Sequence, residues 1–180
     1  MQKTFIEILR SSVDERRTLF ETVAAHLGTQ APNIEKDLYV CWVLDFLFNR
    51  RPNDPVGLYF KGGTSLSKAY GLVRRFSEDI DIGMYKADLH VPLEADIAAL
   101  PSVNQQQRAL AEKVDEAARQ YISGPLRELL TRELAVVEEA AGRPGHFSLG
   151  FGFDLYRNKC RFPFNSANAT STISVCCRRT

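Results

Sequence analysis

From the pattern of apolar positions, five stretches of the chain read as helices and three as strands. Residues 12–27 form the first helical stretch. Ser12 followed by Glu15 has the spacing of a capping box, and Gly28 supplies a C-terminal stop. Val13, Leu19, Phe20, Val23 and Leu27 make its expected buried stripe. A connector from Thr29 to Asn33 contains Pro32. A second helix is predicted from Ile34 to Asn49, with Leu38, Cys41, Trp42, Leu44, Leu47 and Phe48 as core candidates. Two prolines in the loop at 50–57 end it. Leu58, Tyr59 and Phe60 then read as a short buried strand closed by Gly62 and Gly63, and a helix is expected from Thr64 to Val73.

Asp79 to Met84 alternates polar and apolar residues, the mark of a strand with one buried face. Residues 86–101 carry no period and read as an irregular insert. A helical pattern returns at 102–122 through Leu110, Val114, Ala117, Ala118, Tyr121 and Ile122. Ser123-Gly124-Pro125 is expected to break it before a last helix, Leu126 to Ala141, striped by Leu129, Leu130, Leu134 and Val137. After a turn at 142–145, residues 146–156 alternate as a strand with Phe147, Leu149, Phe151 and Phe153 on one face. Helices and strands are thus mixed rather than regularly alternating, which predicts an α+β fold.

From about Asn158 the period disappears. From Arg157 to Thr180 there are five basic residues (Arg157, Lys159, Arg161, Arg178, Arg179) and no acidic one, with a Ser/Thr/Asn-rich middle. It reads as a reading frame that has shifted and ended early, or as a disordered tail. The expected organisation is therefore a domain over 1–157, with its core motif at 58–84 and a helical part at 102–141, followed by an irregular segment over 158–180.

Composition narrows the function classes. The 180 residues are 44% apolar and 25% charged with a formal net charge of +1, so no global field advertises nucleic acid or membrane binding. Four cysteines (Cys41, Cys160, Cys176, Cys177) include no pair at zinc-ligand spacing, and His26, His90 and His146 do not cluster with them. The N-terminus lacks a signal-peptide pattern, and the apolar run 41–48 is too short to span a bilayer and contains Asp45. The expected location is a reducing cytoplasm, off the membrane.

Chemistry concentrates in FKGGTSLSKAYGLVRRFSEDIDI (60–82). Two glycines after a strand let the backbone approach a phosphate, and amides of Gly63, Thr64 and Ser65 at a helix N-terminus favour an anion. Lys61, Lys68, Arg74 and Arg75 bring positive charge to the same neighbourhood. The lysine precedes the glycines, so this is not a Walker A loop, and an ordinary strand-to-helix turn has the same local sequence. Asp79 and Asp81 lie two apart on one strand and so share a face. Two adjacent carboxylates repel unless a cation compensates. Mg²⁺ takes carboxylate, phosphate and water oxygens, whereas on an edge strand the same aspartates can simply be solvated. The helix between them returns the chain, so that the aspartate strand is expected beside the diglycine bend. Together they describe a Mg²⁺–nucleoside triphosphate site.

The stretches 34–48 and 60–82 resemble the AbiEii/AbiGii-type toxin family of the nucleotidyltransferase superfamily, similar in turn to the MenT group. The resemblance implies a polymerase-β-like minimal nucleotidyltransferase fold, a mixed sheet flanked by helices, here incomplete at the C-terminal end. It implies that Gly62, Gly63 and Thr64 or Ser65 hold the triphosphate and that Asp79 and Asp81 bind Mg²⁺ or Mn²⁺. Arg75 matches as a phosphate contact and Ser77 as a turn-forming group. Lys36 and Asp37 match a family segment, or form a structural pair near a helix start. For the family's third carboxylate and downstream lysine, Asp154 and Lys159 are the stand-ins. The activity implied is transfer of a nucleoside monophosphate to a hydroxyl acceptor, RNA or a tRNA 3′ end, under control of a cognate antitoxin protein. Two alternatives are a truncated remnant that at most binds nucleotide, and a helical interaction module built on 102–141.

Overall fold

The computed structural model describes residues 2–61, 65, 68, 80–142, 148–149, 152–154, 159–166 and 169–176, with side chains described within 2–60, 65, 68, 80, 82–85 and 87–142. Helix α1 (Gln2–Arg10) was not evident in the sequence pattern. It is nonetheless the keystone of the N-terminal packing, because Phe5 and Leu9, one turn apart, both enter the core. The Phe5 ring stacks on Trp42 at 5.2 Å and meets Tyr39 edge-on at 5.8 Å. Such aromatic pairs contribute about 0.5–1.5 kcal/mol each beyond their burial.

Helix α2 (Val13–Leu27) starts and stops where the capping signals put it. Ser12 Oγ accepts from the Glu15 amide, the Glu15 carboxylate accepts from the Ser12 amide, and Gly28 ends the helix at φ 66°. Its burial differs from expectation. Phe20 and Ala24 are covered, whereas Val13, Leu19 and Leu27 are exposed, because α2 packs on the next helix along a narrow strip only.

Helix α3 (Ala31–Asp45) begins three residues earlier than the pattern predicts. Pro32 sits in its first turn, where the missing N–H is unneeded, instead of in a connector. Tyr39, Val40, Trp42 and Val43 form its buried face. Its last turn widens into a π-helical turn, Phe46–Arg50, that buries Phe46 and Leu47 and leaves Phe48 exposed. From this turn Arg50 donates to Asp45 at 2.8 Å and pairs with Glu133, which also accepts from Gln2 at 3.1 Å. One guanidinium thus links α1, α3 and the C-terminal helix.

Strand β1 (Leu58–Lys61) pairs antiparallel with β2 (Asp81–Met84) in the register Leu58–Met84, Tyr59–Gly83, Phe60–Ile82 and Lys61–Asp81. The ladder continues with the Tyr85 amide donating to the Gly57 carbonyl at 3.3 Å. Beyond a 3₁₀ turn (Lys86–Leu89) and one turn of helix, α4 (Ala95–Ala98), the long helix α5 (Val103–Tyr121) is capped by Ser102. Ser123-Gly124-Pro125 does not break the chain direction as expected. A π-helical turn (Ile122–Leu126) absorbs the proline's missing donor and leads into α6 (Arg127–Ala141), capped by Gly142 at φ 70°.

The core joins α1, α3, Val56, the buried face of β2, α5 and α6 in one cluster. A second sheet contains β3 (Ser148–Leu149), β4 (Gly152–Asp154), β5 (Lys159–Ser166) and β6 (Ala169–Cys176). The single strand expected at 146–156 is two short ones, both antiparallel to β5, with β6 along the other edge of β5. The irregular chain expected at 158–180 is instead, over 159–166 and 169–176, a hairpin of two eight-residue strands, lying against β2 and α3. Backbone pairing between two strands needs no side-chain alternation unless one face is buried, so a patternless sequence does not exclude it. The architecture is mixed α+β, with a small two-stranded sheet flanked by helices.

Candidate functional site

The β1–β2 ribbon orders the site by simple alternation. Ile80, Ile82 and Met84 are buried, so positions 81, 83 and 85 belong to the opposite face. Register then puts Tyr59 and Lys61 on that same outer face, with position 61 directly across from position 81. Directly opposed residues lie about 4.5–5.5 Å apart. The diglycine begins at the next residue after Lys61, so the start of the bend and the second aspartate of the couplet sit at the same end of the ribbon.

Gly62, Gly63, Thr64, Arg75, Ser77 and Asp79 lie outside the described residues, as do the side chains of Lys61 and Asp81. Ser65 and Lys68 are described, and both are helical. Ser65 is buried, and the Lys68 ammonium pairs with the Asp37 carboxylate of α3. Through this contact Asp37 ties Lys68 to α3. The Cys41 thiol stands 4.0 Å from Asp37. Burial, reinforced by the Asp37 charge and opposed by Lys68, raises its pKa, which makes it a poor nucleophile. Beside it a shallow groove of about 410 Å³ is lined by Cys41, Leu44, Phe48, Phe60, Asn49 and Lys68.

The loop before β1 is held as firmly as the strands. Arg51 donates to the Val56 carbonyl and to the Tyr121 hydroxyl, which in turn donates to Asp54 at 2.8 Å. Burial and the Asp54 hydrogen bond push the Tyr121 pKa up. This clamp fixes where Gly57 enters the ribbon.

The sequence reading missed what the outer face carries next to position 81. A Cβ on Gly83 would run into the Tyr59 ring, 2.5 Å from its hydroxyl oxygen. One on Gly57 would lie 2.8 Å from a Tyr85 ring carbon. The signal was present as a Gly-x-Tyr triplet in each strand (Gly57-Leu58-Tyr59 and Gly83-Met84-Tyr85), since antiparallel pairing sets each glycine opposite the other strand's tyrosine.

Asp154 and Lys159, the stand-ins for a third carboxylate and the downstream lysine, are register partners on β4 and β5. Among the described residues no three His, Cys, Asp or Glu side chains gather as a metal site, and no helix is long and apolar enough to cross a membrane.

A protein-family model described as "Nucleotidyl transferase AbiEii toxin, Type IV TA system" matches residues 45–175. The chain belongs to the AbiEii family. The match takes in the β1–β2 ribbon, both long C-terminal helices and β3 to β5 with nearly all of β6. Family likeness therefore reaches across the segment where the resemblance read from sequence stopped. No curated protein and no solved structure matches the chain. Membership in AbiEii associates the protein with nucleotidyl transfer and with toxin–antitoxin systems.

Proposed function

We propose that this AbiEii chain is a metal-dependent nucleotidyltransferase of the polymerase-β-like kind, with its site at the Lys61/Asp81 end of the ribbon. The observation that supports the reading is the β1–β2 register, which pairs Lys61, the residue before the diglycine, with Asp81, the second aspartate of the couplet. Burial of Ile80 and Ile82 assigns position 81 to the face away from the core, where a carboxylate can meet water and a cation. Two hard oxygen donors suit Mg²⁺ or Mn²⁺, and on this reading Asp79 and Asp81 hold the ion. A bound divalent ion supplies charge neutralisation on the phosphate oxygens.

The remaining work falls to the chain. Backbone amides at Gly62, Gly63, Thr64 and Ser65 orient the triphosphate at a helix start, with Lys61 and Arg75 contributing positive charge and Ser77 shaping the turn. Lys68, which pairs with Asp37 of α3, adds positive charge on the same side of the bend. An acceptor hydroxyl oxygen attacks the α-phosphorus in line. The bond to the bridging oxygen of the β-phosphate breaks, pyrophosphate leaves with the electron pair, and the hydroxyl proton passes to a carboxylate or to water. The acceptor is RNA, a tRNA 3′ end being the simplest case, and the partner that restrains the enzyme is a cognate antitoxin protein.

Incubating the chain with total RNA and each α-labelled nucleoside triphosphate tests the reading against an Asp79→Ala/Asp81→Ala variant. Label is expected to enter RNA only with the wild-type chain and a divalent ion. Equal incorporation by both proteins removes the assignment.

A further inference from the structure

The two Gly-x-Tyr triplets make a surface to which the proposed function gives no role. With glycine opposite each tyrosine, each ring packs close against the facing backbone, Tyr59 at Gly83 and Tyr85 at Gly57, with the two ring planes tilted by 51°. The ring centroids are 5.2 Å apart. Tyr85 keeps 51% of its surface exposed, although a ring of that size is more often covered. A pair of aromatic rings packed on a sheet face resembles the base-stacking platforms on which single-stranded nucleic acid is held.

Position decides the occupant. Along the same face the Lys61 and Asp81 row lies one two-residue step, about 7 Å, from the Tyr59–Gly83 row and two steps, about 14 Å, from the Gly57–Tyr85 row. The Lys61 and Asp81 row is where the proposed function puts phosphates and the metal pair, and a nucleotide carries its base a short distance from its phosphates. We propose that Tyr85, with Tyr59 beside it, is the stacking platform for the nucleobase of the nucleoside triphosphate bound at the Asp79/Asp81 end. This inference rests on that functional reading. Stacking on a π face tolerates any base, so the platform binds purines more tightly than pyrimidines by ring area without selecting one by hydrogen bonds.

The test uses the full chain in Mg²⁺, with two probes: a nucleoside triphosphate and inorganic triphosphate, which has the charges without a base. Tyr85→Ala removes the ring, Tyr85→Leu keeps apolar cover over Gly57 without a π face, and Tyr85→Phe keeps the π face. Circular dichroism and thermal melting confirm that each variant is folded. Tyr85→Ala and Tyr85→Leu are expected to weaken nucleoside triphosphate binding roughly 5- to 150-fold. Inorganic triphosphate binding should be unchanged, and Tyr85→Phe should stay within about twofold of wild type. Equal nucleotide affinity in Tyr85→Leu and wild type overturns the platform. A rise in KM for acceptor RNA alone overturns the triphosphate assignment and gives the rings to an acceptor base. If the wild-type chain binds neither probe, the site reading itself falls and the platform falls with it.

Discussion

Replacing Gly83 with alanine puts the packing of the ribbon face to a direct test. In an unobstructed strand this change stabilises by about 0.5–1 kcal/mol, because glycine loses more backbone freedom on folding. Here the new methyl group would occupy the space of the Tyr59 ring. The ring must move off the ribbon to make room. That movement gives up the 5.2 Å contact with Tyr85, about 0.5–1.5 kcal/mol for such a pair. It also exposes part of an aromatic side chain whose full burial contributes roughly 1.5–3 kcal/mol. The balance is a net loss of about 1–2 kcal/mol, or roughly 2–8 °C in Tm for a chain of this size. Thermal and urea melts of wild type, Gly83→Ala, Tyr59→Ala and the double variant close a thermodynamic cycle. With the ring removed, alanine at 83 should be neutral or slightly stabilising, giving a coupling of about 1–2 kcal/mol. If Gly83→Ala costs the same in both backgrounds, the ring does not lie over Gly83 and the platform argument loses its geometric basis.

Three further expectations concern the ties among the helices and the loop before the ribbon. Glu133→Ala leaves Arg50 and Gln2 without their shared acceptor and should cost about 1–3 kcal/mol, less than for a fully buried pair because Arg50 is partly exposed. Burial opposes the charge on Asp45, but hydrogen bonds from Asn49 and Arg50 and the Arg50 charge outweigh it and hold its pKa below the usual value. A depressed folded pKa means this stabilisation is complete above the unfolded value near pH 4 and fades as pH falls through the folded value. The stability gap between wild type and Asp45→Asn should therefore close in acid, and a gap that persists at pH 2 would contradict the ion pair. Tyr121→Phe removes the hydroxyl that joins Arg51 to Asp54 and should cost about 1–2 kcal/mol, measurable by urea denaturation. A Tyr121→Phe protein as stable as wild type would show that the direct Arg51–Asp54 pair and the Arg51 bond to Val56 hold the 50–57 loop without the hydroxyl.

Much of this protein was legible in its residue order because the relevant forces are local. The Ser12–Glu15 capping box, the Gly28 and Gly142 stops, the stripe of α6 and the buried Ile80/Ile82 alternation each depend on neighbours within one helical turn or one strand step. The diglycine and aspartate motifs, with their family likeness, were equally visible. Tertiary contact decided the rest. Which apolar residues of α2 are covered depends on how much of its surface α3 reaches, so Leu19 and Leu27 face water although their spacing is that of a core stripe. The pairing of Asp37 with Lys68, distant in sequence, could not be read from either segment alone. Nor could the two tyrosines be placed on the same face as position 81 before a register was known, since sliding one strand by a single residue sends every side chain to the other side. Residue order determined the elements and the chemistry available; strand register, a long-range choice fixed by burying Ile82 and Met84 against the helices, decided what that chemistry sits beside.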